Sequence, residues 1–263
     1  MENILKKSAQ AGAKALMSRF KQKLTRFDKT SFQDYYTEAD TESQQAIIDV
    51  LTTEMRKIGI ASSEIGFIGE EGLNIPDKKH MFVVDPLDGT LNYGSGYAHF
   101  GISIAYFLDS ELHLGLVYDP TTKDVYTAIK GHGAFKNSQR LSVSFRPLKE
   151  CLVDGFISSR KNLSNMLFEK YKEIFPHVTG YRNLNSMVID HGLFCENAFN
   201  VVINGHTFIW DIAAVKLLTE ESGGIMMDFS GQQIKIDLKN PKKEYQVITC
   251  HPKLKSDILR FFI

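Results

Sequence analysis

The sequence predicts an α+β chain in which helices precede and follow a largely antiparallel sheet. Two observations carry this. Apolar residues recur at three- and four-residue steps near both ends of the chain. Between them, "FGISIAYFLDSELHLGLVYDPTTKDVYTAIKGHGAF" breaks into apolar runs of strand length, interrupted at Asp109-Ser110, Asp119-Pro120 and Gly131-His132-Gly133. That pattern is a β-meander, and grouping strands apart from helices is layering of the α+β kind rather than a doubly wound parallel fold.

The elements follow in order. Leu5, Ala9, Gly12, Leu16, Phe20 and Leu24 form the stripe of a first helix lying on a core. From Asn3 to Phe27 there are seven basic residues and no acid, a composition shared with organelle transit peptides. The apolar stripe favours a packed helix with a basic outer face instead. "DTESQQAIIDVLTTEMRKIG" predicts a second helix through Ile47, Ile48, Leu51, Met55 and Ile58, with Thr41 and Gln44 as a capping box and Gly59 as its stop. Phe67 and Ile68 predict a short strand entering "GEEG", and Met81 to Val84 a buried strand. After the meander, 161–174 and 186–197 read as helices and Phe199 to Ile203 as a strand. "WDIAAVKLLTEESGG" reads as a helix stopped by Gly223-Gly224, and Tyr245 to Thr249 as a closing strand. No repeat, low-complexity tract or linker interrupts the chain. One domain over 1–263 is expected, with an N-terminal lobe to about residue 145 and a C-terminal lobe from about 146.

Composition narrows the partners. Hydrophobic residues at 43% and charged residues at 24% are those of an ordinary globular protein. Lys plus Arg and Asp plus Glu each number 31, so there is no basic field of the kind that marks a nucleic-acid partner. No apolar stretch approaches the ~20 residues needed to span a bilayer. Cys151, Cys195 and Cys250 are odd in number and far apart, which suits buried thiols in a reducing compartment, and a cytoplasmic location is expected.

"MFVVDPLDGTLNY", residues 81–93, carries the chemistry. Four apolar residues end in Asp85 and Asp88, and burying a carboxylate costs several kcal/mol (~3–5 when its partner is missing) unless a cation compensates it. Two further stretches bring acids to strand or helix ends: "FIGEEG" with Glu70 and "IWDIAA" with Asp211. Hard oxygen donors without nearby His or Cys suit Mg²⁺. Pro86 breaks the strand's alternation so that Asp85 and Asp88 can turn to one point, and the Leu87 carbonyl can join them. Gly89 lets backbone approach a ligand, and the Gly89 and Thr90 amides, if they open a helix, suit a phosphate. The bland readings are that Asp211 and Asp40 cap helices, that Glu70 and Glu71 lie in a solvated turn, and that Asp85 and Asp88 form an exposed turn.

With those residues in view, the chain resembles the inositol monophosphatase family of Mg²⁺-dependent, lithium-sensitive phosphatases. Both of its signatures are present, as "DPLDGT" and "WDIAA", and "DYYTEAD", "GEE", "GLVYDPTTKDVYTAIKGHGAFKN" and "EESGGIMMDFSG" match in order from about residue 5 to 250. The resemblance implies a layered α/β sandwich, commonly homodimeric, acting on a small phosphorylated metabolite. It implies two to three Mg²⁺: the first held by Glu70, Asp85 and the Leu87 carbonyl, the second by Asp85, Asp88 and Asp211, a weaker third aided by Glu70. Gly89 and Thr90 would receive the phosphate. Thr90 and Asp40, with Glu70, would orient a metal-activated water for attack, following the two-metal template.

The substrate half departs from the family. The segment usually reading Arg-x-x-Gly-Ser-Ala is "RNLNSM", with Asn185 and Met187 in place of small residues around Ser186. Seven positions before Asp211, where inositol phosphatases carry a Glu toward sugar hydroxyls, stands Asn204, which Arg182 could compensate. Asp88, Asn185, Ser186, Asn204 and Asp211 are the implied substrate contacts. Inositol phosphate, a nucleotide 3′-phosphate, a sugar bisphosphate and histidinol phosphate all remain open. Haloacid-dehalogenase phosphatases also place Asp-Gly-Thr after a strand, but their paired acids are two apart, not three. A weakly catalytic regulatory member would be marked by lost metal ligands, and none is lost.

Overall fold

The computed structural model describes residues 1–31, 34–156 and 161–263. The chain opens with α1 (Glu2–Arg19), a hairpin of β1 (Arg26–Ser31) and β2 (Asp34–Thr37), and α2 (Glu38–Lys57). β3 (Ile65–Gly69), β4 (Asn74–Ile75), β5 (His80–Asp88) and the short α3 (Thr90–Ser95) follow. The expected meander is β6 (Gly101–Leu108), β7 (Glu111–Tyr118) and β8 (Val125–Ile129), prolonged by β9 (Gly133–Lys136) and β10 (Gln139–Leu141). The rest is β11 (Leu152–Gly155), α4 (Lys161–Ile174), β12 (Gly180–Arg182), α5 (Met187–Cys195), β13 (Val201–Thr207), α6 (Ile209–Glu221), β14 (Ile225–Met227), β15 (Tyr245–Cys250) and α7 (Lys255–Leu259).

Two main sheets result. The first runs β10-β9-β8-β7-β6-β5-β3-β4 and is antiparallel except where β3 pairs with β5. The second runs β12-β11-β13-β15-β14, and β11 lies parallel to both β12 and β13. The expected antiparallel character therefore holds for the first sheet only. In the second, α4 and α5 intervene between the strands, and such helical crossovers return the chain in the same direction.

The layers alternate helix and sheet. β5 is buried along nearly its whole length because both its faces are covered. Phe82 and Val84 pack with α1 and α2 in one core, while Met81 and Val83 pack with α5 and α6 in another. The second core also takes Val202 and Val247 from the far sheet. A third core sets Leu167 and Tyr171 of α4 and Ile258 of α7 against Val201, Ile203 and Ile248. The order is thus α1/α2, first sheet, α5/α6, second sheet, α4/α7. All three cysteines are buried free thiols, and among the described residues no helix is long and apolar enough to cross a membrane.

One helix start differs from expectation. α2 begins before Thr41, and its capping box is Thr37 with Asp40. The β-branched cap in extended conformation ends β2 and starts α2 at one residue, which leaves Gln44 free for another task. Gly59, at φ +87°, follows the end of α2 as expected.

Candidate active site

In an unbroken strand, residues three apart point to opposite faces. β5 pairs with β6 as far as Asp85 opposite Ser103, after which Asp88 falls opposite Gly101. Three steps on β5 match two on β6, so Pro86-Leu87 forms a β-bulge that turns Asp88 round. Each of Asp85, Asp88 and Asp211 then offers an oxygen within 4.8 Å of the other two. An octahedral oxygen-binding cation fits such a set, which contains neither thiolate nor imidazole.

Asp211 reaches the cluster from the first turn of α6. Its Oδ2 accepts the Phe208 N–H at 2.6 Å, so it is a helix cap as well as a cluster member. α6 lies close on the first sheet because Gly115 of β7 has no side chain: a Cβ there would sit 2.6 Å from the Ala214 carbonyl oxygen. The Ala-Ala of "WDIAA" and Gly115 together set the depth at which Asp211 sits.

Asp85 is buried, and its Oδ1 accepts the Leu87 N–H at 3.0 Å. Burial first, then the carboxylates of Glu70, Asp88 and Asp211, push its pKa well above the usual range. Asp88 accepts the Ser186 hydroxyl and the Val188 N–H on Oδ2, which oppose the effect of burial; the net result is a rise to about 6. Burial and the neighbouring Glu70 and Asp88 raise Asp211 likewise. Acids that resist ionisation together are acids short of positive charge, which a divalent cation supplies.

Thr90 stands beside them. Its hydroxyl lies 3.2 Å from Asp40 Oδ1 and 3.1 Å from the Leu87 carbonyl. Asp40 is fully buried, and its Oδ2 accepts both the N–H and the hydroxyl of Thr37. It is therefore cap and Thr90 partner at once. Gly89, at φ +86° and ψ 36°, precedes α3 in a left-handed conformation that glycine adopts without strain.

Glu70, Asp88, Gly89, Thr90 and Asp211 line a cavity of about 180 Å³ together with Tyr35, Phe156, Asn185, Met187, Asn204 and His206, while Asp85 and Asp40 are buried outside its lining. Asn185 reaches it at φ +65°. Asn204 is 4% exposed, and its Oδ1 has no hydrogen-bond partner among the described residues. Ser186 is fully buried behind the wall, its hydroxyl committed to Asp88. Arg182 is exposed and bonds the Tyr181 carbonyl, and it is not among the described residues lining the cavity. A larger groove of about 860 Å³, between α4 and the 228–246 segment, holds no such acid cluster among its described residues.

Sequence reasoning missed a set beside residues 184–186, the buried Asp154 and Asp190 and the partly buried His99. Asp190 Oδ1 pairs with His99 Nε2 at 2.7 Å, its Oδ2 accepts the Ser186 N–H, and Asp154 accepts the Leu184 N–H. Burial and the nearby Asp190 raise Asp154 to about 8. The signal was present: "MVIDHGLF" sets an acid in an apolar helix, where it needs a partner.

The profile of the inositol monophosphatase family matches residues 1–259. This chain belongs to that family. An inositol-1-monophosphatase of Rhizobium meliloti is 34% identical over 206 residues, covering 75% of this chain and 73% of its own. The Nus factor SuhB of Pasteurella multocida is 33% identical over 203 residues, covering 76% and 74%. The crystal structure of the extragenic suppressor protein SuhB from Bartonella henselae superposes with a TM-score of 0.87 at 25% identity, covering 99% of this chain and 97% of that one. A phosphatase of layered α+β architecture follows from these likenesses.

Proposed function

We propose that this protein is a Mg²⁺-dependent phosphomonoesterase that hydrolyses a small alcohol-linked phosphate of the inositol monophosphate type. The observation that carries the reading is the Asp85, Asp88 and Asp211 cluster at a cavity beside the Thr90–Asp40 pair. Glu70, Asp85, Asp88, Asp211 and the Leu87 carbonyl are the proposed ligands for two to three ions. When bound, the ions supply Lewis-acid activation of water and neutralise charge on phosphate. Asp40, accepting the Thr90 proton, leaves the Thr90 oxygen as an acceptor for an attacking water, and Glu70 is the second group placed to take its proton. The Gly89 and Thr90 amides receive phosphate oxygens. Asp88, Asn185, Ser186 and Asn204, with Asp211, set the substrate side, Ser186 acting through Asp88.

The buried Oδ1 of Asn204 accepts a hydroxyl, but without charge, so inositol 1-phosphate is expected to be a poorer substrate than another small phosphomonoester. Nucleotide 3′-phosphates, fructose bisphosphate and histidinol phosphate are the candidates. The reading extends to a homodimer in the cytoplasm, where three buried thiols stay reduced. A panel of these esters, with Mg²⁺ and phosphate detection, tests it. A second reading, a weakly catalytic regulatory binder, rests on the likeness to a Nus factor SuhB. Absence of Mg²⁺-dependent phosphate release across the panel would favour it.

A further inference from the structure

α2 turns one buried face toward both acidic loops. Asp40, Ser43 and Gln44 share it at helical spacing. Asp40 meets Thr90, and Ser43 Oγ donates to the Pro86 carbonyl at 2.9 Å, inside the bulge that aligns Asp85 and Asp88. Gln44 makes a different contact. Its Nε2 donates to the Glu71 carbonyl and its Oε1 accepts the Glu71 N–H, both at 3.2 Å. The side-chain amide thus occupies both backbone groups of one residue, as a strand neighbour would.

That residue follows Glu70, which lines the cavity with Asp88 and Asp211. The rest of the turn is held by backbone bonds, two within it and one to β5. Gly69 N–H donates to Leu73 at 2.8 Å, Glu70 N–H to Val84 at 3.3 Å, and Gly72 N–H to Glu70 at 2.9 Å. Space is reserved for the amide: a Cβ on Gly69 would lie 2.4 Å from Gln44 Oε1.

We propose that Gln44 is a positioning residue for Glu70: by clamping the Glu71 peptide from α2 it holds the Glu70 carboxylate beside Asp85 and so raises the site's affinity for a divalent cation. This rests on the metal reading above. Partners hydrogen-bonded to metal ligands are worth ~10-fold to 100-fold in affinity, and the clamp holds the peptide next to a proposed ligand.

The test is Mg²⁺ titration of substrate-free protein by calorimetry, alongside thermal unfolding without metal. Gln44→Met keeps the length and removes both bonds. Its Mg²⁺ Kd, read without substrate, should rise ~10-fold or more. Gln44→Glu keeps the acceptor for the Glu71 N–H and should recover part of the affinity. Gln45→Ala, which removes a contact to Asp49 at the exposed side of α2, sets the baseline. Unchanged Kd with a lowered unfolding temperature in Gln44→Met would overturn the proposal and leave Gln44 a fold contact. Wild-type protein that binds no Mg²⁺ would overturn the metal reading itself.

Discussion

Thr90 and Asp40, fifty positions apart, meet at 3.2 Å between the start of α3 and the start of α2. Asp40 spends its other oxygen on Thr37 at 2.7 and 2.8 Å. Its two roles separate by mutation. Thr90→Ala should lower kcat by ~10²–10⁴, the scale of positioned proton transfer, with thermal stability and Mg²⁺ requirement little changed. Asp40→Asn should show the same loss plus about 1 kcal/mol of stability from the weakened cap. Steady-state kinetics over a Mg²⁺ series, with unfolding curves, checks both. Recovery of Asp40→Asn at high Mg²⁺ would make Asp40 a ligand, and indifference in kcat would leave it a cap.

Removing one acid from the cluster leaves the others misaligned toward the cation. Asp85→Asn should abolish turnover with the fold intact, and Asp211→Asn should weaken metal binding. Circular dichroism and Mg²⁺-dependent phosphate release are the measurements. Retention of about a tenth of wild-type kcat by Asp85→Asn, a barrier change near 1.4 kcal/mol, would exclude it from the site.

Asn204→Glu restores a charged acceptor at the wall. Charge-assisted bonds are roughly twice as strong as neutral ones, and a poorly paired polar group costs ~1–3 kcal/mol. Activity toward inositol 1-phosphate should rise specifically, mostly through KM. Inositol 1-phosphate proving the best substrate of wild type, with Asn204→Glu making no difference, would refute the role.

Proton and metal compete for the same oxygens. Asp88, raised to about 6 by burial, takes up a proton on folding. Its contribution to stability is therefore present below its ordinary value and lost as pH rises through about 6. Mg²⁺ should reverse this, raising the unfolding temperature more at pH 8 than at pH 5. At 100 times Kd the full effect is about 2.7 kcal/mol. His191 works in the other direction. Burial lowers it to about 4, so its stability is present above its ordinary value and lost as pH falls toward about 4. That effect is common to samples with and without Mg²⁺ and cancels in their difference. A Mg²⁺ shift equal at both pH values would exclude the carboxylate site.

Gly115 offers a test of how α6 is seated. Gly115→Val would force the Ala214 backbone outward, at about 1–3 kcal/mol for overpacking. Because Asp211 rides on that helix, Mg²⁺ affinity should fall as well. Calorimetry that finds stability reduced and affinity unchanged would uncouple the two.

The sequence made the strands of the meander and the ends of α4 legible because each is bounded by turn residues and filled by one apolar period. β1, β11 and β12 escaped notice because they are short and carry few apolar residues, and their pairing is set by distant partners. The acids of the site were readable wherever an apolar run ended in a carboxylate, as at Asp85 and Asp211. Asp190 and His99 were not, since each makes sense only against a group on another element. Gln44 illustrates the ambiguity of local signals: its spacing from Thr41 fits a cap, yet its partner lies 27 residues on.

The surplus residue at Pro86-Leu87 has a consequence for chain length. Deleting Leu87 would return β5 to even pairing with β6, a repair of the ladder. Asp85 and Asp88 would then stand two apart, Asp88 still opposite Gly101, but the Leu87 N–H that Asp85 accepts and the Leu87 carbonyl beside the Thr90 hydroxyl would be lost. The backbone would gain regularity as the site came apart. In this molecule the parity of a single strand, as much as the identity of its acids, divides a well-ordered sheet from a working one.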